Sequence, residues 1–429
     1  MWPGLWRTNS DRNMGHTVVE KILSRHSQND VHPGQIIWLD LDVRSARDFG
    51  GPNVVKNFER EYGKDPVDDP SKTFFTFDLC VPACSIRYAN NQQICREFAR
   101  KKGFQVFDVD QGIGSHVLIE EGLASAGTTV VGTDSHMNIL GAVGSFGQGM
   151  GDVDITFAYK TGKTWFEVPE TVKVLITGQM SKTASPKDLT LFILKQMGTR
   201  KGALRAIEFY GSAVKSLDLS GRITLCSMVT EMAGIIGFIP EYDKTFAEEV
   251  GELSGKAYSP LAADEDAKYS DVFTIDVSGL EPQIAAPFLP TNVHDVSELC
   301  GKKIDSGFIG SCTNGRASDF AEAARILKGY KVKESVMLKI VPATRIVYDG
   351  LLREGILAEL FKSGAIISNP GCGGCAEGHI GLTGEGEVQL STGNRNFAGK
   401  QGKGETYLTS PAVVAASCLA GCITGPEDS

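Results

Sequence analysis

Two stretches, Phe308-Ile-Gly-Ser-Cys-Thr-Asn-Gly-Arg316 and Asn369-Pro-Gly-Cys-Gly-Gly-Cys375, decide the fold and the chemistry to be expected of this chain. Each follows a short apolar run, which predicts a strand that ends in a loop. Together they supply the thiols of Cys312, Cys372 and Cys375. Three thiolates are one fewer than the four that hold an ordinary iron–sulfur cluster. One metal ion would then keep a vacant position, which catalytic metals need in order to bind substrate oxygen.

The same cysteines also allow a purely structural metal site. His379 follows Cys375 by four residues. With the three thiols it could complete a closed zinc site, which would only stabilise the end of the chain. Spacing alone leaves both interpretations open.

Short apolar runs alternate with helical patterns along the chain. This alternation is typical of an α/β protein with mainly parallel sheets. Near the start, Thr17 is a candidate cap for an amphipathic helix. Strands are predicted at 36–41, 73–77, 128–132, 172–177, 305–310, 337–342 and 365–368.

Composition suggests where the domains begin and end. Residues 1–13 carry no periodicity and are interpreted as an upstream extension. The proline-rich stretch 279–297 has no helical period and resembles an interdomain connection. We therefore predict three α/β domains, at 14–170, 171–278 and 279–429, of which the last carries the three cysteines.

The charge and hydropathy of the chain exclude several classes of protein. The chain has 429 residues, 41% of them hydrophobic, and a formal net charge of −9. No run of lysine and arginine makes a basic arm, so nucleic acid is not expected as a partner. No apolar stretch is long enough to span a membrane, and the N-terminus lacks the order of a signal peptide. Ten dispersed cysteines are typical of a reducing compartment, so we expect a cytoplasmic protein without a membrane partner.

Four further segments place titratable side chains beside predicted strand or helix ends. Loops at the carboxyl ends of parallel strands are where open α/β sheets bind ligands. Taken alone, the glycine-rich segment at 393–400 is a solvated turn, or else a cationic loop that presents Arg395 and Lys400 to carboxylates. The four segments are 110–116, 132–136, 224–231 and 393–400.

Four motifs in order reveal a family resemblance. They are Gly-Thr-Asp-Ser-His (132–136), Gly-Ser-Cys-Thr-Asn (310–314), Pro-Gly-Cys-x-x-Cys (370–375) and Asn-Arg-Asn-Phe-x-Gly (394–399). From Met14 to about Ile423 the chain resembles the aconitase superfamily, especially its large subunits of the isopropylmalate dehydratase type. The resemblance implies an aconitase-like arrangement of three domains with mainly parallel sheets, in which the swivelling fourth domain is missing.

The resemblance also implies a cofactor and roles for individual residues. Cys312, Cys372 and Cys375 would hold a [4Fe-4S] cluster with one iron that no protein group ligates. Catalytic roles fall to a polar shell that would orient and protonate the iron-bound hydroxyl, namely His116, Asp134, His136, Glu231 and Asp78. Substrate-binding roles fall to Ser135, Arg395, Lys400 and Arg47.

The implied reaction is reversible dehydration of a 2- or 3-hydroxy dicarboxylate. Interconversion of 3-isopropylmalate and 2-isopropylmalate, a step of leucine biosynthesis, is the first expectation. Dimethylmalate, citramalate-type and homoaconitate substrates are the alternatives. In two-subunit members a separate small subunit carries the swivelling domain, so the resemblance implies such a partner here.

The chain departs from the family pattern at four positions. Leu79 replaces the usual histidine after Asp78, and Lys400 replaces a usual arginine. Arg47 stands where related enzymes tend to show Gln or His, and Ser227 stands where aconitases have Asn. These changes leave a second hypothesis, a metal-binding paralogue that has lost catalysis.

Overall fold

The computed structural model of the protein describes residues 15–29, 31–375 and 379–426. This part of the chain contains eighteen strands in four sheets. Thirteen α-helices and several short 3-10 helices connect and cover the sheets. The helices of the described part are α1 (Val18–Arg25), α2 (Gly51–Tyr62), α3 (Ile86–Lys102), α4 (Gly114–Glu120), α5 (Asp152–Thr161), α6 (Pro186–Met197), α7 (Ser212–Lys215), α8 (Leu219–Ser227), α9 (Lys244–Ser254), α10 (Ala317–Leu327), α11 (Arg345–Arg353), α12 (Ile356–Ser363) and α13 (Pro411–Ala420).

The first part of the chain builds a parallel sheet and a small antiparallel one. Its strands are β1 (Ile36–Asp40), β2 (Val43–Arg47), β3 (Thr73–Thr76), β4 (Gln105–Phe107), β5 (Thr129–Gly132), β6 (Phe146–Gly149) and β7 (Lys163–Glu167). Five of them pair in the order β4-β3-β2-β5-β6, all parallel. β1 pairs with β7 in the antiparallel sense. Strand β2 is central, so the loop after Arg47 opens at the middle of the sheet edge.

The first helix begins as the sequence predicts. Thr17 stands just before α1, and the Glu20 carboxylate accepts hydrogen bonds from both its N–H and its hydroxyl group, at 2.9 and 2.6 Å. This reciprocal arrangement satisfies donors that a helix start leaves unpaired. The predicted cap is confirmed.

A second parallel sheet follows. Its strands are β8 (Thr171–Thr177), β9 (Ala206–Tyr210), β10 (Ile236–Phe238) and β11 (Asp271–Asp276). They pair in the order β10-β9-β8-β11, and every pair is parallel. Between β9 and β10, helix α8 runs into the 3-10 helix Met228–Met232, which carries Glu231.

The last part of the chain forms the largest sheet. Its strands are β12 (Gln283–Ala285), β13 (Val293–Asp295), β14 (Ser306–Ile309), β15 (Met337–Ile340), β16 (Ile366–Ile367), β17 (Val388–Ser391) and β18 (Glu405–Thr409). They pair in the order β13-β12-β18-β17-β14-β15-β16. Only the two pairings of β12 are antiparallel.

Three apolar clusters fill the space between these sheets and their helices. The largest cluster joins side chains of the first and second parallel sheets. It includes Leu79, Val174 and Ile176. The thiols of Cys312 and Cys372 pack against this same cluster. The two cysteine loops of the last sheet therefore meet the junction of the first two sheets.

Most strand predictions are confirmed, and the mainly parallel α/β class is correct. Each of the seven predicted runs contains an observed strand. The seven runs leave eleven of the eighteen described strands unpredicted. Among these is β2, because Val-Arg-Ser-Ala-Arg is polar in sequence although its first four residues are buried. The boundaries of the three predicted domains stay predictions, and the proposed extension at 1–13 lies outside the described residues. No helix in the described part combines the length and apolar character of a membrane crossing.

Candidate active site

Six segments that carry predicted site residues meet where parallel strands end. Strands β2, β3, β5, β14, β16 and β17 each run into one of these segments. Carboxyl ends of parallel strands share one edge of a sheet, so loops from distant parts of the chain converge there. The strand ends predicted from the two cysteine stretches are confirmed, since β14 ends at Ile309 and β16 ends at Ile367.

The three cysteine thiols lie near one another. Cys312 and Cys372 are 5% and 4% exposed, and Cys375 is half-buried. Burial raises the pKa of the Cys312 and Cys372 thiols, and the nearby Asp134 carboxylate and Cys375 thiol raise both pKa values further. Three interacting thiols in a buried site form a donor set that a bound cation would stabilise as thiolates.

Two side chains donate hydrogen bonds to these sulfurs. The Asn394 amide donates to Cys312 Sγ at 3.3 Å and also contacts His136 Nε2 at 3.0 Å. The Arg47 guanidinium donates to Cys372 Sγ at 2.6 Å. Donors to ligand sulfurs are characteristic of iron–sulfur sites, where they adjust cluster potential. The residues present therefore fit an iron–sulfur cluster.

The closed zinc alternative is not formed among the described residues. In that part of the chain no three His, Cys, Asp or Glu side chains surround one point that a single metal ion could occupy. His379 Nδ1 instead accepts a hydrogen bond from the Ile380 N–H at 3.0 Å. A cluster makes a different demand, because each thiolate binds a different iron.

A second group of side chains surrounds His136. Its Nε2 lies 3.2 Å from Glu231 Oε1, and its Nδ1 lies 3.2 Å from Ser135 Oγ. Arg395 Nε donates to the same Glu231 oxygen at 2.9 Å, and its Nη1 donates to Ser135 Oγ at 3.3 Å. Four predicted site residues thus form one network, which joins loops that follow β5 and β17 to the 3-10 helix that carries Glu231.

Arg47, Asp78 and Asp134 form a buried charge cluster beside the cysteines. Arg47 Nε lies 2.8 Å from Asp78 Oδ1, and Arg47 Nη1 lies 3.2 Å from Asp134 Oδ1. Burial raises the pKa of Asp78 to about 7, although Arg47 opposes the shift. Burial would also raise the pKa of Asp134, but Arg47 and His136 reverse the direction and lower it. One cation therefore contacts two carboxylates whose pKa values shift in opposite directions.

His116 is directed at the protein backbone. Its side chain is completely buried, and its Nε2 lies 3.0 Å from the carbonyl oxygen of Cys312. Since a carbonyl only accepts, Nε2 must carry the proton. Burial, aided by the nearby Arg316 guanidinium, lowers the pKa of His116 to about 3. The imidazole is therefore neutral near pH 7 and holds the Cys312 loop.

Lys400 and Leu79 stand apart from these networks. The Lys400 ammonium makes no hydrogen bond or ion pair with the described residues around Arg395, although Arg395 lies only five residues away. The Leu79 side chain is 7% exposed and packs in the central apolar cluster. Neither position supplies a polar group to the network in this structure.

Sequence reasoning missed three side chains that contact the site. Asn394 lies within a quoted motif, and its contacts with His136 and Cys312 appear only in the fold. Arg316 lies beside His116 and pairs with Glu120 at 3.1 Å. The fully buried Lys187 donates to the carbonyls of Thr392 and Gly393, just before Arg395. The Lys187 contacts span more than 200 residues, so no local pattern reveals them.

Known proteins resemble the chain over nearly its whole length. A 3-isopropylmalate dehydratase large subunit from Methanopyrus kandleri is 43% identical over 417 residues, which cover 96% of this chain and 99% of the relative. A probable 3-isopropylmalate dehydratase large subunit from Methanothermobacter thermautotrophicus is 44% identical, with the same coverage. The corresponding large subunit of Aquifex aeolicus is 39% identical over 424 residues, 97% of this chain and 98% of the relative.

A solved structure and a family model complete the comparison. The holo-form of Thermococcus kodakaraensis aconitase X superposes with a TM-score of 0.53 at 12% identity, over 91% of this chain and 94% of that one. At this identity the match establishes the fold alone. The model of the aconitase (aconitate hydratase) family matches residues 20–303 and 296–421. By this match and by its relatives, the chain belongs to the aconitase family.

Proposed function

We propose that this chain is the large subunit of a 3-isopropylmalate dehydratase-type hydro-lyase. The observation that carries the proposal is the meeting of three buried thiols with the network of His136, Glu231 and Arg395. Thiolates that bind a cluster and a cation that binds carboxylate are what dehydration of a hydroxy dicarboxylate requires. The names of the relatives favour 3-isopropylmalate over dimethylmalate, citramalate-type or homoaconitate substrates.

The proposed cofactor is a [4Fe-4S] cluster held by Cys312, Cys372 and Cys375. With one iron that no protein group ligates, it would supply a Lewis acid for the substrate hydroxyl and carboxylate. The donor set supports this choice, because Asn394 and Arg47 already direct N–H groups at two of the sulfurs.

The chain's own residues would bind and orient the substrate. Arg395 would bind a substrate carboxylate, and the Ser135 hydroxyl beside it would add a hydrogen bond. Glu231 fixes both Arg395 and His136, which ties carboxylate binding to the position of the imidazole. The His136 imidazole, held between Glu231 and Ser135, would hold the proton that the departing hydroxyl takes up.

Other residues complete the polar shell in this proposal. Asp134 fixes the backbone of the His136 loop, because its carboxylate accepts the His136 N–H at 3.0 Å. Asp78 accepts the Gly114 N–H at 2.9 Å, and its own carbonyl accepts the Cys372 N–H, also at 2.9 Å. Roles for His116 in proton transfer and for Lys400 in substrate binding remain predictions, whereas Asp78, Asp134 and the Cys372 sulfur accept the donors of Arg47.

The proposed partner is a small subunit, since the relatives are named large subunits. It would carry the swivelling domain and close the site over a hydroxy-dicarboxylate substrate. The dispersed cysteines of the sequence are typical of a reducing compartment, so the proposed location is cytoplasmic.

The first experiment is anaerobic purification with iron, sulfide and zinc measured on one sample. We expect iron and sulfide in cluster proportions, with a broad charge-transfer absorption that an iron–sulfur cluster gives. Addition of the small subunit should then give 3-isopropylmalate dehydration. Stoichiometric zinc without sulfide, after anaerobic reconstitution with iron and sulfide, would contradict the proposal.

One observation supports an inactive paralogue as the second candidate. Leu79 puts an apolar side chain into the core at the position where the family resemblance implies a histidine, so no proton donor stands there. The two candidates differ in one result. A cluster-loaded protein that binds the small subunit but turns over none of the four candidate substrates would favour the paralogue.

A further inference from the structure

Arg47 has its donors committed to protein groups. Each of its three guanidinium nitrogens has a protein acceptor within reach. Nε bonds to Asp78, Nη1 pairs with Asp134, and Nη2 reaches both Asp78 at 2.7 Å and the Cys372 sulfur. A substrate carboxylate would have to compete with two buried carboxylates for these donors.

Arg47 and Asp48 both hold the loop formed by residues 78–80. The completely buried Asp48 carboxylate accepts the N–H groups of Leu79 and Cys80, at 3.1 and 3.2 Å. Arg47 holds the side chain of Asp78 in that loop. Because the Asp78 carbonyl accepts the Cys372 N–H at 2.9 Å, the end of β2 fixes the backbone against which Cys372 rests.

The charge at this point also depends on Arg47. Two carboxylates, Asp78 and Asp134, lie beside the thiols. Leu79 contributes no charge, since its side chain packs in the apolar core. Among the described side chains, the Arg47 guanidinium is the cation that contacts a cysteine sulfur.

We infer that Arg47 is a positioning residue that donates a hydrogen bond to the Cys372 sulfur and thereby raises the reduction potential of the bound cluster. This inference rests on the proposed function. A donor and a positive charge beside a ligand sulfur stabilise the reduced, more negative cluster. Arg395 then remains the substrate's carboxylate ligand, and Arg47 serves the cysteine loop.

Arg44 offers a matched control on the same strand. It is 1% exposed and pairs with Asp68 at 2.8 Å and with Thr73 at 3.2 Å. It lies three positions before Arg47, so the two side chains leave β2 on opposite faces. R44Q therefore removes a buried cation from the same strand without removing a donor to sulfur.

The experiment compares wild type, R47Q, R47K and R44Q after anaerobic cluster loading. The readouts are the midpoint potential of the cluster, from EPR-monitored titration, and the KM of the enzyme reconstituted with the small subunit. We expect a more negative potential in R47Q, a smaller shift in R47K, and the wild-type value in R44Q. KM in R47Q should stay within about threefold of wild type, because no substrate contact is lost.

The other outcomes are equally informative. An unchanged potential in R47Q, with KM raised roughly 10- to 100-fold, would overturn the inference and make Arg47 a substrate ligand. If R47Q folds but takes up no cluster while R44Q takes up the cluster normally, the positioning role is supported. The midpoint potential is then measured on R47K. A wild-type protein that takes up no iron and sulfide would instead refute the proposed function itself.

Discussion

Two buried arginines, Arg47 and Arg222, show how this chain uses charge in its interior. Arg222 is completely buried in α8, and its guanidinium donates to four backbone carbonyls and lies 3.8 Å over the Phe246 ring. Arg47 contacts two carboxylates and a thiol. Burial removes both guanidinium groups from water, which costs free energy. For Arg222, hydrogen bonds to fixed backbone carbonyls offset this cost. For Arg47, contacts with titratable groups offset the cost, and the guanidinium in turn acts on the pKa values of those groups.

We call the contacts of Arg222 the structural centre, and the cysteine loops with the networks of Arg47 and His136 the chemical centre. Backbone carbonyls do not titrate, so the Arg222 contacts stabilise the second sheet and its helices. Carboxylates and thiols retain their chemistry, and a strand-end loop keeps them near substrate. We therefore expect variants of the two centres to fail in different ways, and four variants test this difference.

The largest effect is expected from removal of one thiol of the chemical centre. C372S should lose the cluster and all measurable dehydratase activity while the protein stays folded, because two remaining thiols cannot hold the cluster. Iron and sulfide analysis together with circular dichroism checks this. C418S, which changes a completely buried cysteine in α13, is the control and should keep its iron. Equal iron content in both variants would rule Cys372 out as a ligand.

R222M should act on stability alone. The substitution leaves two buried and two half-buried carbonyls without this donor, which we expect to cost roughly 3 kcal/mol or more. The measurement is the midpoint of urea unfolding, with kcat compared at low denaturant. R353M is the control, since that side chain is 72% exposed in α11 and pairs with Asp349. A lowered kcat in folded R222M would remove the distinction between the two centres.

R395K should impair substrate binding with little loss of stability. A lysine cannot keep the contacts of a guanidinium to both Glu231 and Ser135. We expect KM to rise roughly 10- to 100-fold, with the cluster retained. Steady-state kinetics of the reconstituted enzyme measures this, and R345K at an exposed ion pair with Asp110 is the control. Unchanged KM would mean that another cation binds the carboxylate.

H116Q tests a residue that belongs to both categories, since His116 bonds to a backbone carbonyl inside the chemical centre. The folded-state pKa is lowered to about 3, mainly by burial, against an ordinary value of 6.5. The unfolded chain therefore binds the extra proton between these pH values, and stability is lost as pH falls from about 6.5 toward 3. This group contributes a slope of at most about 1.4 kcal/mol per pH unit.

The H116Q measurement is urea unfolding of the cluster-free protein as a function of pH. Glutamine can still donate to the Cys312 carbonyl but does not titrate, so the variant should lose part of the acid-side slope. H32Q changes a histidine whose ring contacts the Pro33 carbonyl and no carboxylate among the described residues, and it is the control. Identical slopes in H116Q and wild type would mean that the buried imidazole is already protonated in the folded state.

Local pattern could predict seven of the eighteen strands that the structure describes. The run at 337–342 predicts β15 because apolar residues flank Lys339 on both sides. Strand β2 escapes such a pattern, because Arg44 is polar in sequence and yet buried in the fold. Its charge is balanced by Asp68, 24 residues away. The run at 36–41 gives a strand as predicted, but β1 lies outside the parallel sheet and leaves Trp38 54% exposed.

The chain by itself determined the cysteine loops, the strand ends that carry them and the motif residues Asp134, His136 and Arg395. These are encoded by neighbouring residues, because hydrophobic period and loop composition act over a few positions. Only the tertiary structure decided which groups meet. Arg47 reaches Cys372 across 325 positions, and His136 reaches Glu231 across 95. Such contacts depend on how the three larger sheets pack around the largest apolar cluster, and no local sequence pattern encodes that packing.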